Sequence, residues 1–524
     1  MSTTFADRRG IWAFVLGCLA VTAGVLLHIP MFLMGRDMHY RLAGMPMDAE
    51  MLVGMALIVA GVGVAAYGLL PVTAGPRATD AARVEIAAPE DAHLSLAHWG
   101  LMVVLVVALV IDIMKPASLG FTIPGMSEEY GISKQRAALV PFFALIGTVT
   151  GSIVWGIIAD IYGRKASILL SAVMFVGTSI CGAMPSFAWN IGMCFMMGAA
   201  AGGLLPVTYA LLAEMMPSRH RGWSLVLVGG LGAVGGYLAA SGASAWLQPI
   251  FGWRILWLLN LPTGLILVLL GRYIPESAKF LIARGRDAEA RKVMAKFGAK
   301  MRQKKEPTPS HAAQRHVPLT GLGLWGKLIA LSICAIAWGL INFGLLLWLP
   351  ADLVAKGYSV EVSSLLIAQS ALIAFPTVFV AAWLYHKWST KWAVIACVVV
   401  TLTGLLLVLL LELRGRGSPV LPIAFLIVGT NGIIAMLLPY AAESFPLKVR
   451  GRATGWVAAC SKGGGVIAQS LSILALVPPL GITAAIIMVP TALAFALLIW
   501  FGKETRGRDL RDLDDTMITA TSPV

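Results

Sequence analysis

Asp112 and Lys115 stand three positions apart inside an apolar stretch of this 524-residue chain. On a helix that spacing puts both side chains on one face, where opposite charges can pair. Charged groups inside an apolar span are costly, and they tend to mark the path of an ion or a substrate. Asp112 is therefore read as a proton carrier and Lys115 as a site of attraction for an anionic group. Polar and aromatic residues inside other apolar runs form a second tier: Thr208, Tyr209, Trp338, Asn342, Asn431, Tyr440, Lys462 and Gln469. Lys462 is a second cation able to hold a carboxylate, although Gly463, Gly464 and Gly465 beside it also suit close helix packing. Each member of this tier has an equally good reading as a helix–helix hydrogen bonder.

A second group of charges recurs. Ala-Glu-x-x-Pro-x-x-x-Arg-Gly runs from Ala213 to Gly222 and again from Ala442 to Gly451, each time at the end of an apolar run. Such a repeat points to two related halves with a path between them. Overlaid by this repeat, Asn342 falls close to Asp112, which suggests a single proton carrier in the first half. Gly156-Ile-Ile-Ala-Asp160-Ile-Tyr-Gly163-Arg164-Lys165 closes another span. Gly156 is expected to let helices approach closely, and Gly163 to make a tight turn. Asp160 needs a cation or a helix N-terminus as partner. The corresponding stretch of the second half, 385–394, contains no acid.

These residues must be positioned by membrane helices. The chain is 58% hydrophobic and only 13% charged, with a mean hydropathy of +0.83. That leaves too little polar surface for a soluble protein of this size. Apolar blocks of about 18–25 residues recur, long enough to cross a bilayer as helix. They predict an all-α polytopic membrane protein of fourteen spans, arranged as two, then six, then six. The expected divisions are 1–96 (two extra helices and a linker), 97–273 (a six-helix bundle), 274–324 (a central loop), 325–503 (a second six-helix bundle) and 504–524 (a tail). The first span follows Arg8 and Arg9 but is longer than a signal core, and it is read as retained.

The net charge of +14 collects in a few loops. Arg164 and Lys165, Arg219 and Arg221, the stretch 274–324, Lys387 and Lys391, and the tail all fall on one side of the predicted bilayer, whereas the loops near 185–190 and 477–481 hold no basic residue. Both termini and the central loop are therefore expected in the cytoplasm. Orientation explains the positive charge, and no nucleic-acid partner is expected. The six cysteines lie in apolar runs without metal-ligand spacing. With no phosphate loop and no catalytic triad pattern, neither an ATP-driven pump nor an enzyme is indicated, and no cofactor or metal is expected.

Taken together, the Gly156–Lys165 loop, the twin motif, and Pro275-Glu276-Ser277-Ala278-Lys279-Phe280-Leu281 with Gly285-Arg286 resemble the signatures of the major facilitator superfamily over about residues 97–503. The Pro275 segment is similar to that of sugar-porter-like members. The resemblance implies two six-helix bundles, a solute bound between them and alternating access. It also implies a cytoplasmic gate: Asp160 locked with Arg164 and facing the helix start near Ala453, with Glu214, Arg221, Glu443 and Arg450 among the gate's charges. Asp112, Gly120, Phe121 and Pro124 loosely resemble the first-helix motif of aromatic-acid–proton symporters, from which Lys115 departs. The glycines 229, 230, 232, 235 and 236 resemble those of drug–proton antiporters only in part, because the Gly-Pro step is missing. The expectation is a monomeric carrier in a bacterial inner membrane, moving a small organic solute, such as an aromatic carboxylate, together with protons. A sugar or polyol porter, a drug–proton antiporter and a non-transporting sensor remain as alternatives.

Overall fold

The structure is a computed structural model describing residues 8–70, 84–87, 93–298, 300–303, 322–415, 417–445 and 447–506. Most of the linker 73–96 and all of 304–318 lie outside the described residues, as do the tail beyond 506 and the Arg450 side chain.

Among the described residues, twelve helices are long and apolar enough to cross a membrane. They are α1 (Arg8–Met38), α2 (Ala49–Leu69), α3 (Leu96–Tyr130), α4 (Lys134–Tyr162), α5 (Arg164–Ala183), α6 (Phe187–Met215), α7 (Arg219–Phe251), α11 (Gly323–Ala355), α12 (Val360–Lys387), α13 (Thr390–Arg414), α14 (Val420–Ser444) and α16 (Leu480–Phe501). Two further helices complete the expected fourteen. α8 (Ile255–Leu270) is apolar but short. α15 (Leu447–Ile473) is long but carries Lys448, Arg450, Arg452 and Lys462. Short α9 (Ala278–Ala283) and α10 (Asp287–Phe297) lie in the central loop. Two four-residue strands, β1 (Val84–Ala87) and β2 (Lys300–Gln303), pair antiparallel and tie the linker to that loop.

The ends of α3 show why it starts and stops where it does. Ser95 and His98 form a capping box at its N-terminus, and Gly131 at φ 59° closes it in the left-handed region. Pro116 lies inside the helix. Having no N–H, it leaves the Asp112 carbonyl four residues back without its helical partner.

The first half comprises α3–α8 and the second α11–α16. They meet where α7 packs on α12 and α14, and α15 on α4. Met114, Phe121, Val234 and Tyr237 from one half share an apolar cluster with Ile341, Leu345, Val378 and Ile427 from the other. The extra pair α1–α2 packs through glycines seven residues apart: Gly17 against Gly61, Gly24 against Gly54, and Gly68 against Gly10. This pair rests on α5, where Ile58 and Val21 lie beside Gly177. Its connecting loop docks on Glu129, which accepts hydrogen bonds from the Leu42 N–H at 2.7 Å and the Ala43 N–H at 2.9 Å. Glu129 also holds the fully buried Arg254 at 2.7 Å.

Candidate functional site

A cavity of about 90 Å³ lies between the halves. It is lined from the first half by Ile113, Pro116, Tyr209 and Tyr237, and from the second by Trp338, Asn342, Phe343, Asn431 and Lys462, among others. Five of the residues singled out from the sequence, Tyr209, Trp338, Asn342, Asn431 and Lys462, thus share one enclosure.

Local backbone features bring them together. α11 becomes a π-helix over Leu340–Leu346, which contains Asn342 and Phe343. Such bulges occur often at functional sites, because the altered winding frees carbonyls and turns side chains. Gln469 donates its amide to the Phe343 carbonyl, and its own carbonyl accepts from Trp348 Nε1 at 3.3 Å. Gln469 is therefore a brace for this segment. A Cβ on Gly339 would strike the Ser461 carbonyl and come within 3.0 Å of Gly464 and Gly465. That close approach of α11 and α15 sets Lys462 Nζ 5.7 Å from the Trp338 ring centroid and 5.4 Å from that of Phe343. An ammonium between aromatic faces is attracted by their quadrupoles while its donors remain available.

The cavity is rich in donors. The Tyr237 hydroxyl donates to Asn342 Oδ1 at 2.9 Å. Trp338 Nε1 and Asn431 Nδ2 are buried without a hydrogen-bond partner among the described residues. Asp112 is buried and interacts electrostatically with both Lys115 and Lys462.

Lys115 departs from its expected place. It is absent from the cavity wall and makes no ion pair with Asp112 among the described residues. Its stem reaches α5 instead. There the ammonium lies over the Phe175 ring and donates to Phe175 O at 3.4 Å and Thr178 Oγ1 at 3.3 Å. A flexible lysine sharing a helix face with an acid is not bound to it when a ring, a carbonyl and a hydroxyl lie within its reach.

The residues expected to form a gate gather at the basic end of the bundle. Arg164 pairs with Asp160 at 2.6 Å and Glu214 at 3.5 Å. Asp160 is otherwise 75% exposed and makes no hydrogen bond to the helix start near Ala453 among the described residues. Glu214 thus meets Arg164, and Glu443 has Arg221, from the other half, as an electrostatic partner among the described residues. Glu443 also accepts from Tyr385 at 2.9 Å and Thr505 at 2.7 Å. Gly163, at φ 105°, has to be glycine, because a Cβ would run into Glu276. Lys165 is buried, and its backbone N–H donates to Glu276 at 3.3 Å. Gly156 does not bring helices together, since a Cβ there would meet nothing within 4 Å. On α4 that task falls to Gly147 and Gly151, which touch the Phe195 and Ala199 backbone of α6.

The sequence reading missed two acids with matching roles. Glu276 caps the start of α5, accepting from the Arg164 N–H at 2.9 Å. Glu504 caps α13, accepting from the Thr390 N–H at 3.0 Å and the Thr390 hydroxyl at 2.6 Å. Glu504 is thus the second-half counterpart of Glu276, while Asp160 has no acidic counterpart in 385–394. The spacing holds the signal: Glu276 follows Glu214 by 62 residues, and Glu504 follows Glu443 by 61.

The comparisons with known proteins agree with this architecture. The niacin transporter NiaP of Acinetobacter baylyi is 25% identical over 446 residues, covering 81% of this chain and 98% of that protein. The 4-hydroxybenzoate transporter PcaK of the same species is 25% identical over 404 residues, covering 72% and 84%. The inward-open xylose transporter XylE from E. coli superposes with a TM-score of 0.62 at 18% identity, covering 80% of this chain and 99% of that one, a likeness of fold. Its family and relatives are transporters and not enzymes. The profile of the Major Facilitator Superfamily matches residues 102–469, and this chain belongs to that superfamily of membrane transporters.

Proposed function

We propose that this protein imports a small aromatic carboxylate together with protons, by alternating access between its two six-helix halves. The observation that carries this reading is Lys462. It is a lone ammonium on the cavity wall, set between the Trp338 and Phe343 rings and in electrostatic contact with Asp112 of the opposite half. A carboxylate satisfies the ammonium, and a flat ring fits between aromatic side chains. The names of relatives support the same class, since they carry niacin, 4-hydroxybenzoate and benzoate.

Coupling follows from charge balance. In the empty carrier, the field of Asp112, which is buried behind the cavity wall lining, offsets the charge of Lys462. A bound carboxylate takes Lys462, and Asp112 then takes a proton instead of remaining a second buried anion. The distribution of basic loops supports a cytoplasmic location for both termini, in a bacterial inner membrane. One chain supplies both walls of the cavity, so a monomer suffices.

Uptake of labelled nicotinate or benzoate into proteoliposomes tests the proposal. Concentrative uptake is expected to rise with an inward proton gradient. Asp112→Asn is expected to lose accumulation while keeping exchange of substrate for substrate. Unchanged accumulation in that variant removes Asp112 from coupling, and binding without any exchange points to a sensor.

A further inference from the structure

The glycine run of α7 divides by what each residue faces. Gly230 meets Val378 of the second half, while Gly232, Gly235 and Gly236 meet Leu109, Val110 and Ile113 of α3. Gly229 alone of the five lies on the cavity wall. It shares that wall with Ala233 and Tyr237, spaced four residues apart on one face of α7. The three atoms nearest to a Cβ on Gly229 all belong to Tyr209 of α6: the hydroxyl at 1.8 Å, Cζ at 2.8 Å and Cε1 at 3.1 Å. The outer end of the Tyr209 ring thus occupies space that the side chain of any other residue at 229 would take. Its hydroxyl makes no hydrogen bond among the described residues, so contact with the bare Gly229 backbone sets where the ring lies. Protein interiors are close-packed, and a ring pushed off Gly229 has the cavity to move into.

We propose that Tyr209, seated on Gly229, sets the upper size of the solute and restricts the carrier to acids of a single ring. The inference rests on the reading of the solute as an aromatic acid held by Lys462, and it names the residues that limit its ring. Lys462, Trp338 and Phe343 belong to the second half, whereas Tyr209 and Gly229 belong to the first. An acid bound through its carboxylate to Lys462 therefore turns its far end towards the wall that Tyr209 helps to form. The enclosure holds about 90 Å³, against roughly 300–1,000 Å³ for pockets that take drug-sized ligands. A few atoms on the wall then decide what fits. In an apolar pocket, one methylene too many or too few changes selection by about 10–200-fold. A single ring fits in front of Tyr209, and a second, fused ring meets it.

Affinities of benzoate and of the two-ring acid 2-naphthoate for the full-length protein in detergent, measured by calorimetry, test the inference. Benzoate is expected to bind about tenfold or more tighter than 2-naphthoate. Tyr209→Leu removes the outer atoms of the ring and should shrink that ratio about tenfold. Gly229→Ala pushes the ring into the cavity and should widen it. In the double variant the alanine should add nothing to the ratio seen in Tyr209→Leu, because the atoms it would strike are gone; additive effects belong to independent sites. A packing role alone would weaken both acids together and leave the ratio where it stands, and that result overturns the inference. Equal affinities in the native protein overturn it too, as does an alanine that keeps its full effect in the double variant. Should Gly229→Ala fail to fold, the ratio in Tyr209→Leu decides alone. In all these cases benzoate still binds and the aromatic-acid reading stands. If neither acid binds the native protein, or if Lys462→Met leaves benzoate binding unchanged, that reading fails and the size limit fails with it.

Discussion

Two glutamates serve the same purpose at the basic end, but their surroundings give them different acidities. Glu276 accepts from the Arg164 N–H at 2.9 Å and the Lys165 N–H at 3.3 Å. Burial pushes its carboxyl up to about 7, with the backbone N–H groups of Ser277, Arg164 and Lys165 working in the opposite direction. Burial acts on Glu504 too, but hydrogen bonds from Ser389, Thr390 and Arg506 outweigh it and hold the carboxyl below its ordinary value. A carboxyl whose docked pKa lies above its free one docks best when protonated. Docking of the Glu276 segment is therefore strongest below the free value of 4.5, and weakens as pH rises through about 7. Glu504 behaves oppositely, and its cap stays in place at neutral pH. Tryptic cleavage after Lys279 and Arg284 is predicted to accelerate from about pH 5 to about pH 8 in the native protein, relative to Glu276→Gln. Parallel profiles for the two proteins would rule out Glu276 as the titrating group.

At the scale of elements, α1 and α2 are bound to the first half by an ionic knot as well as by glycine packing. Arg254 is fully buried against Glu129, and Glu129 also receives the Leu42 and Ala43 N–H groups and the Trp253 indole at 2.7 Å. Glu129→Gln strands the Arg254 charge and is predicted to cost about 3–5 kcal/mol. The expected readout is a lowered thermal unfolding midpoint in detergent, partly recovered when Arg254→Met is added; an unshifted midpoint in the single variant would refute the estimate. Gly464→Val addresses the α11–α15 contact, where a Cβ would strike the Ile336 carbonyl and approach Gly339 at 3.1 Å. Separating these helices moves Lys462 away from Trp338, so substrate binding should fall at least tenfold in protein that still folds. Equal binding would mean that the helix spacing does not set the site. These elements differ in how legible they were. Hydropathy marks the spans because the bilayer demands about twenty apolar residues in a row. The Glu129–Arg254 pair joins residues 125 positions apart at two span ends, and no local pattern announces it. Asp112 and Lys115 advertise themselves as charges, but only packing reveals that α5 takes the lysine. Gly156 looks like a contact residue because glycines in membrane helices often are, yet a Cβ there would meet nothing within 4 Å among the described residues.

Over the whole molecule, the two halves touch at both ends and leave the cavity enclosed between them. At the far end Lys134 bridges to Asp352 at 3.3 Å, and Ser244 meets Ser364 at 2.7 Å. The Lys134–Asp352 pair is partly exposed and worth little by itself, about 0–1 kcal/mol, which suits a contact that must break in every cycle. At the basic end the His220 and His386 rings, from α7 and α12, lie 6.3 Å apart, and Trp223 lies 6.3 Å from His386. A carrier working by alternating access has to part these surfaces in turn, so a covalent tie across one end should halt the cycle without touching the cavity. His220→Cys with His386→Cys, in a background freed of the six native cysteines, supplies that tie. Oxidation is predicted to abolish net uptake in proteoliposomes, and reduction to restore it. Binding of the solute from the far side should survive, because the tie leaves that end free to open. Full-rate uptake by fully cross-linked protein would mean that the basic ends of α7 and α12 do not separate during transport, and the path would then have to leave the cavity somewhere other than between the halves.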